Sequence, residues 1–393
     1  MSWEKVKLED LYDVHNGLSK GGKFFGSGYP FITFSTVFNN FFLPDEITDY
    51  VQSTEKEQAS YSVLRGDVFV TRTSETSDEL GMSCVALKDY PNTTYNGFTK
   101  RMRPKDNSRV HPEYIGYYMR MPSFRAEFKA FSTMTTRASL RNEDLLSLHI
   151  NLPPYQDQVR IAQILRNYDH LIENNRKQIK LLEEAAQRLY KEWFVDLRFP
   201  GYENTPIVDG IPEGWVEGTI QDVVIYHDKR RKPLSGIQRA EMQGQYRYYG
   251  AASILDYVND YLFDGTYLLL GEDGTVVTED GFPILQYVTG KFWVNNHAHV
   301  LTGQPDYPTE YLYMMFKATK VKDVVTGAAQ PKISQARLSS KKIIIPSKYL
   351  VREYCTKVDS IFSLILNLEQ QIIMYKEARD RLLPKLMNGE IEV

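Results

Sequence analysis

The feature that most constrains this chain is a long segment that occurs twice. Leu152 to Phe194, LPPYQDQVRIAQILRNYDHLIENNRKQIKLLEEAAQRLYKEWF, aligns without gaps on Ile345 to Met387, IPSKYLVREYCTKVDSIFSLILNLEQQIIMYKEARDRLLPKLM. Pro153 falls on Pro346, Asn174 on Asn367, Gln178-Ile179 on Gln371-Ile372, Glu184-Ala185 on Glu377-Ala378 and Arg188-Leu189 on Arg381-Leu382. A repeat of this length sets the plan of the whole fold.

Both copies carry apolar residues in alternating steps of three and four, the narrow stripe along which two helices interlock. In the first copy Leu165, Ile172, Ile179, Ala186 and Trp193 alternate with Tyr168, Asn175, Leu182 and Leu189. The second keeps the register with Val358, Ile361, Ile365, Leu368, Ile372, Tyr375, Leu382 and Leu386. Neither stripe can bury itself, so each is the other's natural partner. Asn175 lies on the seam, where a buried amide fixes register at some cost in stability. Forty helical residues make a rod of roughly 60 Å, and globular structure is expected at its ends. Pro384 should kink or end the second helix near Leu383, ahead of the Asn388-Gly389 stop signal.

The segments preceding the two helices echo each other more faintly. Trp3, Leu8, Asp10, Leu11 and His15 share their spacing with Trp215, Ile220, Asp222, Val223 and His227. Gly66-Asp67-Val68-Phe69-Val70 resembles Gly265-Thr266-Tyr267-Leu268-Leu269, read as an apolar strand after a tight turn. Pro112-Glu113-Tyr114-Ile115 resembles Thr309-Glu310-Tyr311-Leu312, each opening a short helix, and Leu140 to Leu152 resembles Ile333 to Ile345. The predicted organisation is a first domain over 1–151, a helical segment over 152–197, a proline- and glycine-rich linker over 198–212, a second domain over 213–344 and a second helical segment over 345–393. Short strands bounded by Gly, Asn and Pro make each domain mixed α/β with a largely antiparallel sheet, an α+β fold with a pseudo-twofold internal repeat.

Composition narrows the class. The 393 residues are 42% hydrophobic and 25% charged, ordinary for a globular protein, and Cys84 and Cys355 are the only cysteines. Two distant cysteines exclude a disulfide framework and a cysteine zinc site, and fit a reducing cytosol. The sequence shows no signal peptide and no apolar run near the ~20 residues that span a bilayer. Net charge is −3, so any nucleic-acid binding must rest on local basic patches.

The motifs that suggest chemistry are broken. Gly17-Leu-Ser-Lys-Gly-Gly22-Lys23 is followed by Phe24 where a phosphate-binding loop needs Ser or Thr. Phe24-Phe25-Gly26-Ser27-Gly28 and Asn151-Leu-Pro-Pro-Tyr155 suggest an adenine methyltransferase, but Leu152 interrupts the second motif and its prolines open a helix. Glu127-Phe-Lys129 has no partner carboxylate for nuclease chemistry, and His297 and His299 are alternate residues of one strand without further ligand spacing. No metal site and no catalytic centre is predicted.

Basic and polar clusters remain. Thr99-Lys-Arg-Met-Arg103-Pro-Lys105 follows an Asn-Gly turn; Thr71-Arg72-Thr73-Ser74 follows an apolar strand; Thr135-Thr136-Arg137-Ala-Ser139 has the same mixture. The second domain offers Lys229-Arg230-Arg231-Lys232 and Gln330-Pro331-Lys332. Lys and Arg neutralise phosphates, Arg also reads guanine, and Asn and Gln read adenine. Their recurrence in both repeats points to DNA, with Arg72, Lys100, Arg101, Arg103 and Arg137 as candidates in the first domain and Lys229, Arg230, Arg231, Gln330 and Lys332 in the second.

The whole chain resembles the specificity subunit of type I restriction-modification systems. The resemblance is carried by Leu152-Pro153-Pro154-Tyr155-x-Asp157-Gln158-x-Arg160-Ile161-Ala162, by Gln178-Ile179-x-Leu181-Leu182-Glu183, by Pro212-Glu213-Gly214-Trp215 and by the closing Arg381-Leu382-Leu383-Pro384-Lys385-Leu386-Met387-x-Gly389-Glu390-Ile391. It implies two target recognition domains separated by two long helices packed as an antiparallel coiled coil. Each domain would read half of a bipartite, asymmetric site in double-stranded DNA, and the helices would set the gap and dock two methyltransferase subunits. Those partners would methylate adenine with S-adenosylmethionine, and two restriction subunits would use ATP and Mg2+; this chain would be non-catalytic, bind none of these cofactors and work in the cytoplasm. The competing expectations are a two-domain scaffold that never binds DNA and a stand-alone DNA-modifying enzyme.

Overall fold

The computed structural model describes residues 3–74, 79–131, 138–327 and 329–393. The chain forms two compact units, Met1–Asn174 with Gln371–Val393, and Asn175–Gln370. Both divisions fall inside the long helices, Tyr155–Tyr190 and Lys348–Met387.

In the first unit the strands that build the frame are β1 (Glu4–Lys7), β2 (Tyr12–Asn16), β3 (Val68–Thr71), β4 (Ser83–Val85), β5 (Thr99–Pro104) and β6 (His149–Leu152). β1 pairs antiparallel with β6, placing the chain start beside the strand that leads into the central helix. The other four form an antiparallel sheet in the order β2-β5-β3-β4. β3 is buried on both faces because its alternation serves two cores: Val68 and Val70 face one, Phe69 the other. It is launched by a turn in which Gly66 takes φ +92° and Leu64 N–H donates to Asp67. A small sheet of Phe25–Ile32 with Tyr50–Val51 and Thr94–Tyr95 covers the second core.

Pro112–Tyr118 is a helix with proline in its first turn, as its sequence predicts, and it buries Tyr114, Ile115, Tyr117 and Tyr118. The Tyr117 hydroxyl donates to Asp169 of the central helix, and Asp169 accepts Arg379 Nη1 at 2.6 Å from the C-terminal helix. Gln158 pins the start of the central helix. It is 1% exposed, its Oε1 accepts His111 N–H at 2.8 Å, and its Nε2 donates to Arg109 O at 3.0 Å and Pro153 O at 2.9 Å.

In the second unit the frame strands are β7 (Val216–Thr219), β8 (Val224–Tyr226), β9 (Gln243–Tyr249), β10 (Ile254–Val258), β11 (Phe263–Gly271), β12 (Leu285–Val294), β13 (Ala298–Gly303) and β14 (Lys342–Ile345). β7 pairs with β14 as β1 does with β6. The main sheet runs β8-β13-β11-β12-β9-β10. Its first four strands repeat the β2-β5-β3-β4 order of the first unit, and helix Thr309–Ala318 follows β13 as Pro112–Tyr118 follows β5. β9 and β10 extend this sheet through the parallel pairing of β9 with β12; in the first unit Phe25–Ile32 and Tyr50–Val51 hold the equivalent place as a separate sheet, with Phe25–Ile32 parallel to Thr94–Tyr95. Gly265 departs from the sequence expectation. It does not form a turn before the strand but lies inside β11 at φ +129°, paired with Gly290 of β12 at φ +78°. Two facing glycines absorb the irregularity within a continuous ladder.

Within each unit the two long helices run antiparallel. In the first, Tyr168 and Tyr375 rings lie 6.5 Å apart and Asp169 bonds Arg379. In the second, Asn175 Nδ2 lies 3.5 Å from Leu368 O, and Tyr354 Oη donates to Ala186 O at 3.0 Å. Leu165, Ile172, Asn175, Ile365 and Leu368 are buried, and Ile179, Leu182, Leu189, Ile372 and Leu382 half-buried. Within each unit the seam is thinly covered in places.

Pro384 neither ends nor interrupts the C-terminal helix, which continues to Met387. Proline costs one i→i−4 hydrogen bond; burial of Leu383, Leu386 and Met387 in the first unit's core offsets it. The central helix closes with a wider turn at Lys191–Val195 that turns Trp193 and Phe194 into an aromatic cluster with Tyr190, Tyr311 and Tyr354. The following stretch is ordered: Phe199 packs on Trp215 at 5.4 Å, and Ile207–Val208 pairs with Ile211–Pro212 across Asp209-Gly210, both at positive φ. Cys84 and Cys355 are free and buried. Among the described residues no helix is long and apolar enough to cross a membrane.

Candidate nucleic-acid interface

The basic segment Thr99–Pro104, whose composition makes it a candidate DNA contact, is β5, flanked by β2 and β3 at the middle of the first unit's sheet. Its cations are covered as a result. Lys100 is 3% exposed and donates to the side-chain oxygens of Asn16 and Asn142. Burial pushes its ammonium below the usual lysine range, the nearby Arg72 charge adds to this, and Glu143 opposes it. Arg101 stacks over Tyr95 at 5.5 Å and donates to Ser62 O at 2.6 Å. Arg103 grips Asp67 with a two-pronged ion pair, Nε–Oδ1 2.7 Å and Nη2–Oδ2 2.6 Å, and also bonds Ser62 O at 2.9 Å. That hydrogen bond to Asp67 raises the guanidinium above its ordinary range despite burial. The geometry gives Arg101 and Arg103 to the sheet, because acceptors on neighbouring segments, Ser62 O and Asp67, take up their guanidinium groups. Arg137 lies outside the described residues.

Arg72 is placed differently. It follows β3 and lines a cleft of ≈ 410 Å³ with Leu18, Ser19, Lys20, Phe25, Thr73, Asn96, Gly97 and Phe98. Lys20 is tied down by Glu57 at 2.8 Å and by Gln52 O at 2.6 Å. The apparent phosphate loop forms one wall. Gly22–Phe24 is a 3₁₀ turn leading into a strand, not a helix, so it offers no helix N-terminus to a phosphate. Gly17 serves packing: a Cβ there would sit 2.0 Å from Asn96 O. The aromatic walls Phe25 and Phe98 were missed in sequence, although an apolar residue directly after Asn96-Gly97 is the signal that could have found the second.

In the second unit Lys229 is exposed, with no partner among the described residues, on the 3₁₀ turn Asp228–Arg230. Arg230 lies over the Phe263 ring at 4.5 Å and donates to Leu262 O at 2.6 Å, its exposed face left to solvent. Arg231 is drawn inward. It donates to Glu272 Oε2 at 2.6 Å and Ala298 O at 2.7 Å, and lies 3.5 Å from Asp228. His299, 1% exposed, bonds Asp228 at 2.6 Å and Ile333 O at 2.8 Å. Burial alone would raise the Asp228 and Glu272 carboxyls, but hydrogen bonds and charge from His299 and Arg231 outweigh it, with Lys332 assisting at Glu272, and leave both below the usual range. Lys332 is half-committed to Glu272 at 3.2 Å, and Gln330 is exposed. Asp228, Glu272 and His299 are the residue types that hold metals, but the Arg231 guanidinium already supplies the positive charge they need. His297 turns to Asp273 instead, so the two histidines do not converge.

The arrangement offers two frames of one design, each with exposed cations, amides and rings on segments that differ between units. That is chemistry for contacting phosphates and base edges. A type I restriction modification DNA specificity domain model matches residues 1–184 and 212–373. The MjaIX specificity subunit of Methanocaldococcus jannaschii is 26% identical, over 100% of this chain and 94% of its own. The HindI specificity subunit of Haemophilus influenzae is 24% identical over 98% and 99%. The crystal structure of the type I S subunit from M. genitalium has the same fold, with TM-score 0.51 at 14% identity over 98% of this chain and 96% of that one. Frame, repeat and relatives agree: the chain belongs to the type I restriction-modification DNA specificity family.

Proposed function

We propose that this chain selects the DNA site for a type I restriction-modification complex, each unit's recognition domain reading one half of a bipartite asymmetric sequence. The observation that carries this is a repeated strand plan bearing unlike sequence: in each unit a strand, Phe25–Ile32 or β9, pairs antiparallel with the next strand and parallel with the segment leading into β5 or β13, but its residues and loops differ. A repeated frame positions each domain on the duplex alike, and the unlike residues it carries read unlike half-sites. The paired helices set the number of unread base pairs and dock two methyltransferase subunits. The chemistry belongs to the partners: adenine methylation from S-adenosylmethionine, and ATP- and Mg2+-dependent restriction by two further subunits. This chain contributes binding and register, in the cytoplasm.

The test is methylation mapping. The chain is expressed with its modification subunit in a methylation-free host and every modified adenine is read. A two-part motif with a fixed gap is expected. A stable complex without methylation, and without duplex binding in a gel shift, would leave a protein scaffold as the function.

A further inference from the structure

We propose that the cleft beyond β3 reads a guanine through the Arg72 guanidinium, making Arg72 a specificity-determining residue of the first unit. The inference rests on the DNA-reading function above and assigns it a residue and a base.

Arg72 is held by backbone bonds on both sides. Its N–H donates to Phe98 O at 2.8 Å, and its carbonyl accepts Leu140 N–H at 2.9 Å. Continuing the β3–β5 register, in which Val70 faces Lys100 and Thr71 faces Thr99, sets Arg72 opposite Phe98 and on the same sheet face as Lys100. The side chain therefore leaves a rigid strand end, which is what precise contact with a base edge requires.

Among the described residues no carboxylate pairs with Arg72 and no acceptor meets its guanidinium, although the residue is half-buried. Other half-buried arginines are satisfied: Arg103 by Asp67, Arg231 by Glu272, and Arg120 by the carbonyls of Ser83, Val37 and Asn40. The neighbouring Lys100 is a second cation held by amide oxygens alone. Two partly desolvated cations side by side favour an electron-rich ligand.

The rest of the lining selects a base over a bare phosphate. Phe25 and Phe98 are 42% and 58% exposed at the cleft, planar apolar surfaces with no use for a phosphate. Asn96 Oδ1 is occupied by Phe98 N–H at 2.7 Å, which leaves its amide as a donor. A lining of donors matches guanine, whose major-groove edge offers two acceptors, O6 and N7, in the spacing of an arginine fork; adenine puts a donor there.

The test compares the full chain with Arg72→Lys and Arg72→Ala, each expressed with the modification subunit, by mapping methylated adenines. The expected result is that one G·C position in one half of the motif relaxes in both variants, discrimination falling roughly 5- to 150-fold, while the other half-site is unchanged. Arg72→Lys keeps the charge, so it carries the test if Arg72→Ala fails to accumulate. An unaltered motif in Arg72→Lys, at full or uniformly reduced methylation, would overturn the proposal, because a phosphate contact weakens all sites alike. Wild-type chain that directs no sequence-specific methylation would instead remove the DNA-reading function, and this inference with it.

Discussion

Replacing Arg103 by alanine should destabilise the first unit and leave DNA binding intact. Asp67 is fully buried and accepts three N–H groups: Leu64 N–H at 2.8 Å, Arg103 Nε at 2.7 Å and Arg103 Nη2 at 2.6 Å. Arg103→Ala removes two of the three and the only countercharge within an ion-pair distance among the described residues. Breaking a buried pair from one side costs about 3–5 kcal/mol. The Arg103 side chain is 29% exposed, so water screens part of this, and about 3 kcal/mol is the working value. For a unit of roughly 200 residues that is a fall in Tm of about 6–12 °C. Thermal unfolding followed by circular dichroism gives the shift, and a salt titration of duplex binding well below the new midpoint gives the interface contribution. Asp67→Asn in the Arg103→Ala background should recover part of the loss by discharging the stranded carboxylate. The reasoning is refuted if Arg103→Ala melts like wild type while its affinity and salt slope drop, since Arg103 would then be facing phosphate.

Three further expectations follow from other parts of the molecule. Gln158→Leu strands His111 N–H and the carbonyls of Arg109 and Pro153; at about 1–3 kcal/mol per buried unmet group it should lower the urea midpoint markedly, and an unmoved midpoint would mean water replaces the amide. Asp228 and Glu272 have depressed folded-state pKa values, so their stabilisation is complete above their unfolded values, near 3.8 and 4.5, and is lost as pH falls through the folded ones. The Tm gap between wild type and Glu272→Gln should be constant near neutrality and close below about pH 4; a gap that persists unchanged to pH 3 would contradict this. Lys229→Ala should weaken DNA binding alike at all sequences and reduce the salt slope by about one without changing Tm, whereas Arg231→Ala should lower Tm; the reverse pattern would exchange their roles.

The large-scale plan is legible from local sequence alone. The repeat from Leu152 and from Ile345 gave two helices, and the spacing of Leu165, Ile172, Ile365 and Leu368 gave their buried seam, because helical periodicity is written locally in 3-4 steps. Pro112 and Thr309 marked helix starts for the same reason. Which charges are free depends on contacts made across the fold. Lys100, Arg101 and Arg103 have the composition of a basic loop, but pairing with β2 and β3 puts them at the sheet's centre, next to Asp67, Ser62 and Asn16, residues distant in sequence. Arg231 looks like its neighbour Lys229, yet Glu272, Asp228 and His299 converge on it from three segments. Pro384 reads as a terminator until the burial of Leu386 and Met387 is known. Phe25, Arg72 and Phe98 meet only because β3, β5 and the strand from Phe25 end in one place. Periodicity depends on neighbours along the chain and can be read from it; desolvation and charge pairing depend on neighbours across it, which only the folded structure supplies.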